Sequence, residues 1–77
     1  MNKRRRKEIL DAKTLIEENL GVIREAIEEE EEYFDNMPEN LQYSEKGDLT
    51  QEVIGVMEDT VDEIESLLEE LMEAVNN

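Results

Sequence analysis

The stretch IGVMEDTVDEIESLLEELMEAV, residues 54–75, carries an apolar side chain at alternating steps of three and four residues. An α-helix turns once every ~3.6 residues, so this spacing lines the apolar side chains up on one face. Helices that pack side by side in coiled coils and bundles show the same alternation. The seam of this helix, helix two, consists of Ile54, Met57, Val61, Ile64, Leu68, Leu71 and Val75.

Further apolar residues flank this seam. They are Leu49, Val53, Val56, Leu67 and Met72. Because one neighbouring helix cannot cover both the seam and its flanks, we expect helix two to contact more than one helix. The sequence therefore predicts self-association through an oligomer core made of Ile54, Met57, Val61, Ile64, Leu68 and Leu71.

The first half of the chain predicts another amphipathic helix, helix one. Its seam consists of Ile9, Lys13, Ile16, Leu20, Ile23, Ile27 and Phe34. Ala12, Leu15, Val22 and Ala26 widen the apolar stripe. A wide stripe is expected for a helix that faces the core of a bundle rather than a single partner helix.

A short connection joins the two helices. Pro38 must interrupt helix one, because proline lacks an amide hydrogen and disfavours helical geometry at the residue before it. We predict one domain over residues 1–77, with helix one at about 3–35, a loop at 36–47 and helix two at about 48–76. Helices of similar length with a short connection pack as antiparallel neighbours. The predicted fold class is all-α: an antiparallel two-helix hairpin that self-associates into a four-helix bundle.

The loop has two interpretations. In one, Pro38 starts a short helical segment, and Phe34, Met37, Leu41 and Tyr43 close the end of the core as an ordered cap. In the other, the amide side chains form a contact surface for a partner. The candidate loop residues are Asn36, Met37, Pro38, Glu39, Asn40, Leu41 and Gln42.

The sequence leaves the start of helix two and the role of two glycines open. Asp48 with Gln51 resembles a capping pair, whereas Ser44 offers an N-cap further upstream, so helix two begins between residues 44 and 48.

Gly21 and Gly55 lie inside predicted helices, where glycine costs about 1 kcal/mol relative to alanine. Either a neighbouring helix approaches their backbone closely, or they are simply tolerated.

Charge is divided unevenly along the chain. Residues 3–7 carry +5, whereas the whole chain, with 8 basic and 23 acidic residues, carries −15. In an antiparallel hairpin the basic start of helix one lies beside the acidic end of helix two, and residues 3–7 are expected either to form salt bridges with that end or to remain a disordered tail. That end carries Glu69, Glu70 and Glu73. A nucleic-acid-binding role for residues 3–7 is disfavoured, because the negative chain repels a phosphate backbone.

The composition argues against catalysis. The chain has no His and no Cys, so the usual general bases, metal ligands and disulfides are missing. We expect a non-enzymatic protein without cofactor or metal that gains stability by oligomerising, as a homodimer. No apolar stretch approaches the ~20 residues of a membrane span, so a soluble, cytoplasmic protein without membrane association is expected.

The acidic residues suggest two functions. The two helices are rods lined with carboxylates, and their charge density approaches that of duplex DNA. The chain could therefore imitate nucleic acid and occupy the basic nucleic-acid-binding surface of a host protein. Alternatively, the acid only solvates a homo-oligomeric structural or assembly protein. No direct binding of nucleic acid is expected in either case. The candidate partner-binding carboxylates are Glu28, Glu29, Glu31, Glu32, Asp59, Asp62 and Glu63.

The loop sequence NMPENLQ at residues 36–42, followed by SEKG at 44–47 and an acidic heptad helix, resembles a group of small acidic helical proteins. That group belongs to phages and mobile elements of Gram-positive bacteria. The resemblance runs from about Glu28 to the C-terminus and implies a helical hairpin of mobile-element origin with no active site. It implies no specific function.

Overall fold

The computed structural model describes all residues 1–77 and contains two long helices in antiparallel contact. Helix α1 spans Lys3–Asp35, the short helix α2 spans Glu39–Gln42, and α3 spans Glu45–Asn76, with no strand. The hairpin measures 58 × 16 × 11 Å between its outermost Cα atoms. The predicted all-α antiparallel hairpin is therefore confirmed.

The core is a single layer between α1 and α3. Leu20 and Ile27 of α1 pack with Val61 of α3, and the partly buried residues Ile23, Ile54, Met57 and Ile64 surround them. No side chain is less than 2% exposed. Two helices alone cannot enclose a residue on every side, which explains the thin core.

Local capping sets the ends of the helices. The Asn2 side chain accepts a hydrogen bond from the Arg5 backbone N–H at 2.8 Å and so begins α1. Pro38, two residues after Asn36, stops α1 as expected from its missing amide hydrogen. Ser44 is the N-cap residue of α3. Helix two therefore begins at Glu45, the upstream of the two predicted starts.

The connection is ordered, but it is a smaller cap than predicted. The predicted helical segment after Pro38 is present as α2. Met37 is buried and Phe34 is partly buried, whereas Leu41 is 36% exposed and Tyr43 is 81% exposed. The expectation that Tyr43 closes the core is wrong, because its side chain lies in solvent, whereas Leu41 is covered over most of its surface.

A side-chain hydrogen bond holds this connection to α1. Gln42 Nε2 donates to the backbone carbonyl oxygen of Phe34 at 3.0 Å. That carbonyl lies in the last turn of α1, where backbone oxygens lack partners within the helix. The bond therefore fixes α2 against the end of α1.

Another part of the backbone comes close to Gly47, and not to Gly21 or Gly55 as the sequence suggested. A Cβ atom at Gly47 would overlap the backbone carbonyl of Gln42, so α2 and α3 can meet only because this residue has no side chain. At Gly21 and Gly55 a Cβ atom would meet nothing within 4 Å. The interpretation of Gly21 and Gly55 as sites of close helix contact is wrong, and both are tolerated glycines.

The basic start of α1 extends past the end of α3. Lys13 lines a groove together with Asn76 and Asn77, so the last residues of the chain lie level with Lys13. About ten residues of α1, or ~15 Å of helix, therefore project beyond α3. We call residues 3–12 the overhang; all of them are exposed except Ile9, which is partly buried.

The predicted salt bridges between the basic start and the acidic end of α3 are wrong. Arg4 pairs with Glu8 at 3.9 Å and Lys7 with Asp11 at 2.8 Å, all within α1. No ion pair joins residues 3–7 to Glu69, Glu70 or Glu73. The register of the hairpin puts those carboxylates further along α1 than the basic residues.

Substituting Gly47→Ala should destabilise the hairpin, because α2 and α3 must separate to admit the methyl group. We expect a cost of about 1–3 kcal/mol, which lowers the melting temperature of a small domain by several degrees. Gly55→Ala is the matched control and should stabilise by about 0.4–1 kcal/mol, since its methyl group has free space. Thermal melts followed by circular dichroism measure both; equal effects of the two substitutions would contradict the close approach at Gly47.

Candidate functional site

Carboxylates from both long helices gather on one side of the hairpin, which we call the acidic face. An ion pair between Arg24 of α1 and Glu65 of α3 crosses this side. Arg24 also shares a groove with Glu58 and Asp62. The carboxylates of the acidic face are Glu28, Glu31, Asp35, Glu58, Asp62, Glu65, Glu69 and Glu73.

Few cations balance this face. Lys13 lines the groove that contains Glu69 and Glu73, but its Nζ atom is bonded to Glu17 at 3.2 Å. Arg24 is the other basic residue on this side. Beyond these two residues the carboxylates are exposed to solvent and to any approaching cationic surface.

Glu31 of α1 and Glu58 of α3 are neighbouring carboxylates of the acidic face. They line one groove between α1 and α3 together with Phe34, Asp35 and Ile54. A hydrogen bond to Glu58 raises the pKa of Glu31 above its usual 4.5, and desolvation and the negative charges of Glu58, Asp35 and Glu28 raise it further. Such a bond requires that one of the two carboxyls hold a proton. The pair therefore marks a place where negative charge is crowded.

The predicted partner-binding carboxylates are all exposed, but they do not share one side. Glu28, Glu31 and Asp62 belong to the acidic face. Successive residues of an α-helix are rotated by about 100°, which places Glu29, Asp59 and Glu63 on other sides of their helices. By the same geometry, Glu32 is rotated away from Glu28 toward the outer side of α1, away from α3. Glu58 and Glu65 are not among the candidate partner-binding residues chosen from the sequence, and the register between the helices pairs both of them with α1.

The predicted loop residues divide by exposure. Met37 is buried, and Gln42 is partly buried with its amide bonded to α1. The remaining residues lie on the outside of the connection and are available to a partner: Asn36, Pro38, Glu39, Asn40 and Leu41.

The residues predicted as an oligomer core contribute mainly to the hairpin itself. Val61 packs with α1 residues, and Leu68 is also buried. Ile54, Met57 and Ile64 surround the Val61 cluster. Leu71, in contrast, is 42% exposed.

A different apolar surface is left open to solvent. Val22 and Leu15 of α1 are 65% and 59% exposed, and Val56 of α3 is 60% exposed. Leu49, Val53, Val56 and Met57 line an apolar groove on the outside of α3. The flanking apolar residues noted in the sequence are the signal that finds this surface.

No three acidic side chains come close enough together to hold a metal ion. Neither long helix is apolar enough over sufficient length to cross a membrane.

Comparison with known proteins finds no match among family models, curated proteins or solved structures. The acidic face and the exposed apolar residues are therefore the features of the hairpin that bear on its function. The phage or mobile-element resemblance of the loop stays a prediction.

The Glu31–Glu58 pair predicts a pH dependence of stability. Because the folded-state pKa of Glu31 is raised, the folded protein binds more protons than the unfolded chain above pH 4.5, and stability falls as pH rises through that window. Glu31→Gln should raise the melting temperature at pH 7 and reduce its change between pH 7 and pH 5.

Glu29→Gln is the matched control, since Glu29 lies on the other side of α1 and loses the same charge. Thermal melts at both pH values measure the effect. If Glu29→Gln and Glu31→Gln behave alike, general charge repulsion and not the Glu58 contact determines the pH dependence.

Proposed function

We propose that this chain is a non-enzymatic, acidic protein-binding module that occupies the nucleic-acid-binding surface of a basic host protein. The observation that carries the proposal is the acidic face, on which carboxylates of α1 and α3 form one long surface with only Lys13 and Arg24 among them. A basic groove shaped for a phosphate backbone is the complementary surface.

Charge spacing supports this kind of mimicry. The 23 acidic residues, counted on all sides of the hairpin, give one carboxylate per about 2.5 Å of the 58 Å axis (58/23), and the net charge of −15 gives one negative charge per about 3.9 Å (58/15). Duplex DNA carries one phosphate charge per ~1.7 Å of axis, so the rod approaches the charge density of DNA without reaching it. The basic residues 3–7 lie on the overhang, away from the acidic face, and therefore leave its charge largely uncompensated.

The proposal includes a cellular setting. The resemblance of the loop to proteins of phages and mobile elements suggests an inhibitor that such an element uses against its host. Its target would be a nucleic-acid-binding protein in the cytoplasm. The exposed loop residues, with Asn40 at their centre, offer a second contact that could select among basic proteins.

An alternative function is a homo-oligomeric structural or assembly protein whose acidic residues are only solvated. The exposed apolar residues of α1 and α3 favour this alternative, because surfaces of this kind mark protein contacts. Self-association into a homodimer is compatible with both functions. The two differ in whether the acidic face touches a partner.

A pair of four-fold substitutions tests the proposal. The first removes four charges from the acidic face: Glu28→Gln, Glu31→Gln, Glu58→Gln and Asp62→Asn. The second removes the same number of charges of the same types elsewhere: Glu29→Gln, Glu63→Gln, Glu70→Gln and Asp59→Asn. Both variants should keep the helices, because Gln has nearly the helix propensity of Glu and all eight sites are exposed.

The partner is first captured from host lysate on the immobilised parent at 50 mM salt and eluted with duplex DNA. We expect the acidic-face variant to bind this purified partner at least tenfold more weakly than the control variant, as measured by fluorescence anisotropy. Equal weakening by both variants would indicate dependence on net charge alone. Binding by the acidic-face variant as tight as that of the parent would establish the solvated, structural alternative.

A further inference from the structure

Both long helices carry a second line of apolar residues outside the core. On α1 it includes Leu15 and Val22, and on α3 it includes Val56 and Leu67, all more than half exposed. These residues follow the same alternation of three and four as the buried seam. The full set is Ala12, Leu15, Val22 and Ala26 on α1, with Leu49, Val53, Val56 and Leu67 on α3.

These two lines lie on the same side of the hairpin. On each helix the exposed line is rotated by roughly 100° from the core line, in the same rotational sense. Because α1 and α3 run in opposite directions, equal rotations carry both lines to one common side. A contact on this side supports the geometry: Lys46 Nζ lies 5.7 Å from the ring centroid of Tyr33, which continues the α1 line. We call this surface the apolar face; it lies opposite the acidic face.

Polar residues within the apolar face are satisfied locally. The Thr60 hydroxyl donates to the backbone oxygen of Val56 at 2.7 Å, and the Asn19 amide donates to that of Leu15 at 3.0 Å. Covering these groups would therefore leave those two donors bonded, which lowers the cost of removing them from water. The charged residues on this side are at its margins or between apolar residues: Glu63 lies between Thr60 and Leu67, Glu52 borders the groove of Leu49, Val53 and Val56, and Lys46 lies over Tyr33.

The side of the hairpin that carries the apolar face is large enough for a stable interface. This whole side, overhang and loop end included, measures 58 × 16 Å between Cα atoms, or about 900 Å². A standard protein interface buries roughly 800 Å² on each partner. A second hairpin covers a surface of this shape, whereas a single added helix would cover only one of its two apolar lines.

Charge selects the orientation of a second copy. The overhang has a net charge of +3, from the five basic residues 3–7 and the acids Glu8 and Asp11, and no ion pair joins residues 3–7 to α3. The opposite end of the hairpin is acidic, with Glu29, Glu32, Asp35, Glu39 and Glu45 exposed around the loop. In a parallel pair the two basic overhangs would adjoin and repel each other. In an antiparallel pair each overhang adjoins the acidic loop end of the other copy.

We propose that the apolar face binds a second copy of this chain in antiparallel orientation, with residues 3–7 of each copy contacting the acidic loop end of the other. The resulting four-helix bundle would keep both acidic faces on the outside. This inference goes beyond the proposed binding of a basic partner and does not depend on it, since it concerns the opposite face and needs no other molecule.

Mass measurement tests the interface. Light scattering after size exclusion at about 100 µM should give twice the chain mass of 9.0 kDa for the parent. Val22→Lys with Val56→Lys should give the monomer mass, because two lysines then enter the apolar face. Thr14→Lys with Ser66→Lys is the control of equal charge at exposed positions away from that face, and should remain dimeric.

Lysine has a higher helix propensity than valine and reduces the net negative charge, so neither helix loss nor added repulsion explains dissociation of the Val variant. Circular dichroism establishes that its helices persist. A monomeric parent, or a Val variant that stays dimeric, would overturn the proposed interface.

Spin labelling tests the orientation without altering the apolar face. The chain has no cysteine, so Tyr43→Cys in the exposed loop gives one labelling site. In the antiparallel dimer the two labels should be separated by nearly the 58 Å length of the hairpin, because contact of each overhang with the other copy's loop end puts the two loops at opposite ends of the dimer. In a parallel dimer they would lie within about 20 Å, and that result would overturn the proposal.

Neutralising the overhang tests its contact with the other copy. Arg4→Gln, Arg5→Gln and Arg6→Gln together should raise the dimer dissociation constant at least tenfold at 50 mM salt and much less at 500 mM, because salt screens exposed charges. An unchanged constant at 50 mM would remove the overhang from the interface. Failure of the mimicry experiment leaves all these outcomes unaffected, since none of them uses a basic partner.

Discussion

Two helices bury only the line along which they touch, and in this chain that line runs through Leu20, Ile27 and Val61. The core is therefore one layer deep, and no side chain in it is completely enclosed. Most of the surface of each long helix stays in solvent as a result. The surfaces that this protein can offer to other molecules are therefore the exposed sides of its two long helices.

That constraint explains how side chains of different kinds are distributed. Carboxylates occupy one side of the hairpin, where Arg24 pairs with Glu65 and where Glu58 raises the pKa of Glu31. Exposed valines and leucines occupy the opposite side. A helix that served only to complete its own hairpin would need neither feature, because solvation is achieved with fewer acids and the core already has its seam. The two sides are therefore the natural candidates for two different contacts.

The two contacts would reinforce each other. Association through the apolar face buries hydrophobic surface that a small, cysteine-free chain otherwise leaves exposed. It would also hold two acidic faces outward on one body, which would extend the negative surface offered to a basic partner. Two linked binding surfaces gain avidity when the partner presents more than one site. In the proposed dimer the overhang would contribute positive charge where the second copy presents negative charge.

Sequence alone determined the elements and their pairing. Alternating steps of three and four residues indicate helices at nearly any position where they persist, because the period of the α-helix is a local property. Pro38 marks the interruption for the same reason. The short connection then leaves an antiparallel hairpin as the compact arrangement.

Only the tertiary structure decided the register. A slide of one heptad along the seam preserves the apolar pattern, so periodicity cannot say which residue of α1 lies opposite which residue of α3. The actual register places Lys13 level with the end of α3, leaves residues 3–7 without the carboxylates expected beside them, and brings Glu31 to Glu58. The special role of Gly47 was hidden likewise, because its neighbour, the Gln42 carbonyl, belongs to the α2 turn and comes close only when the chain folds back. Local spacing thus fixes which faces exist, whereas contacts between distant parts of the chain fix which residues meet on them.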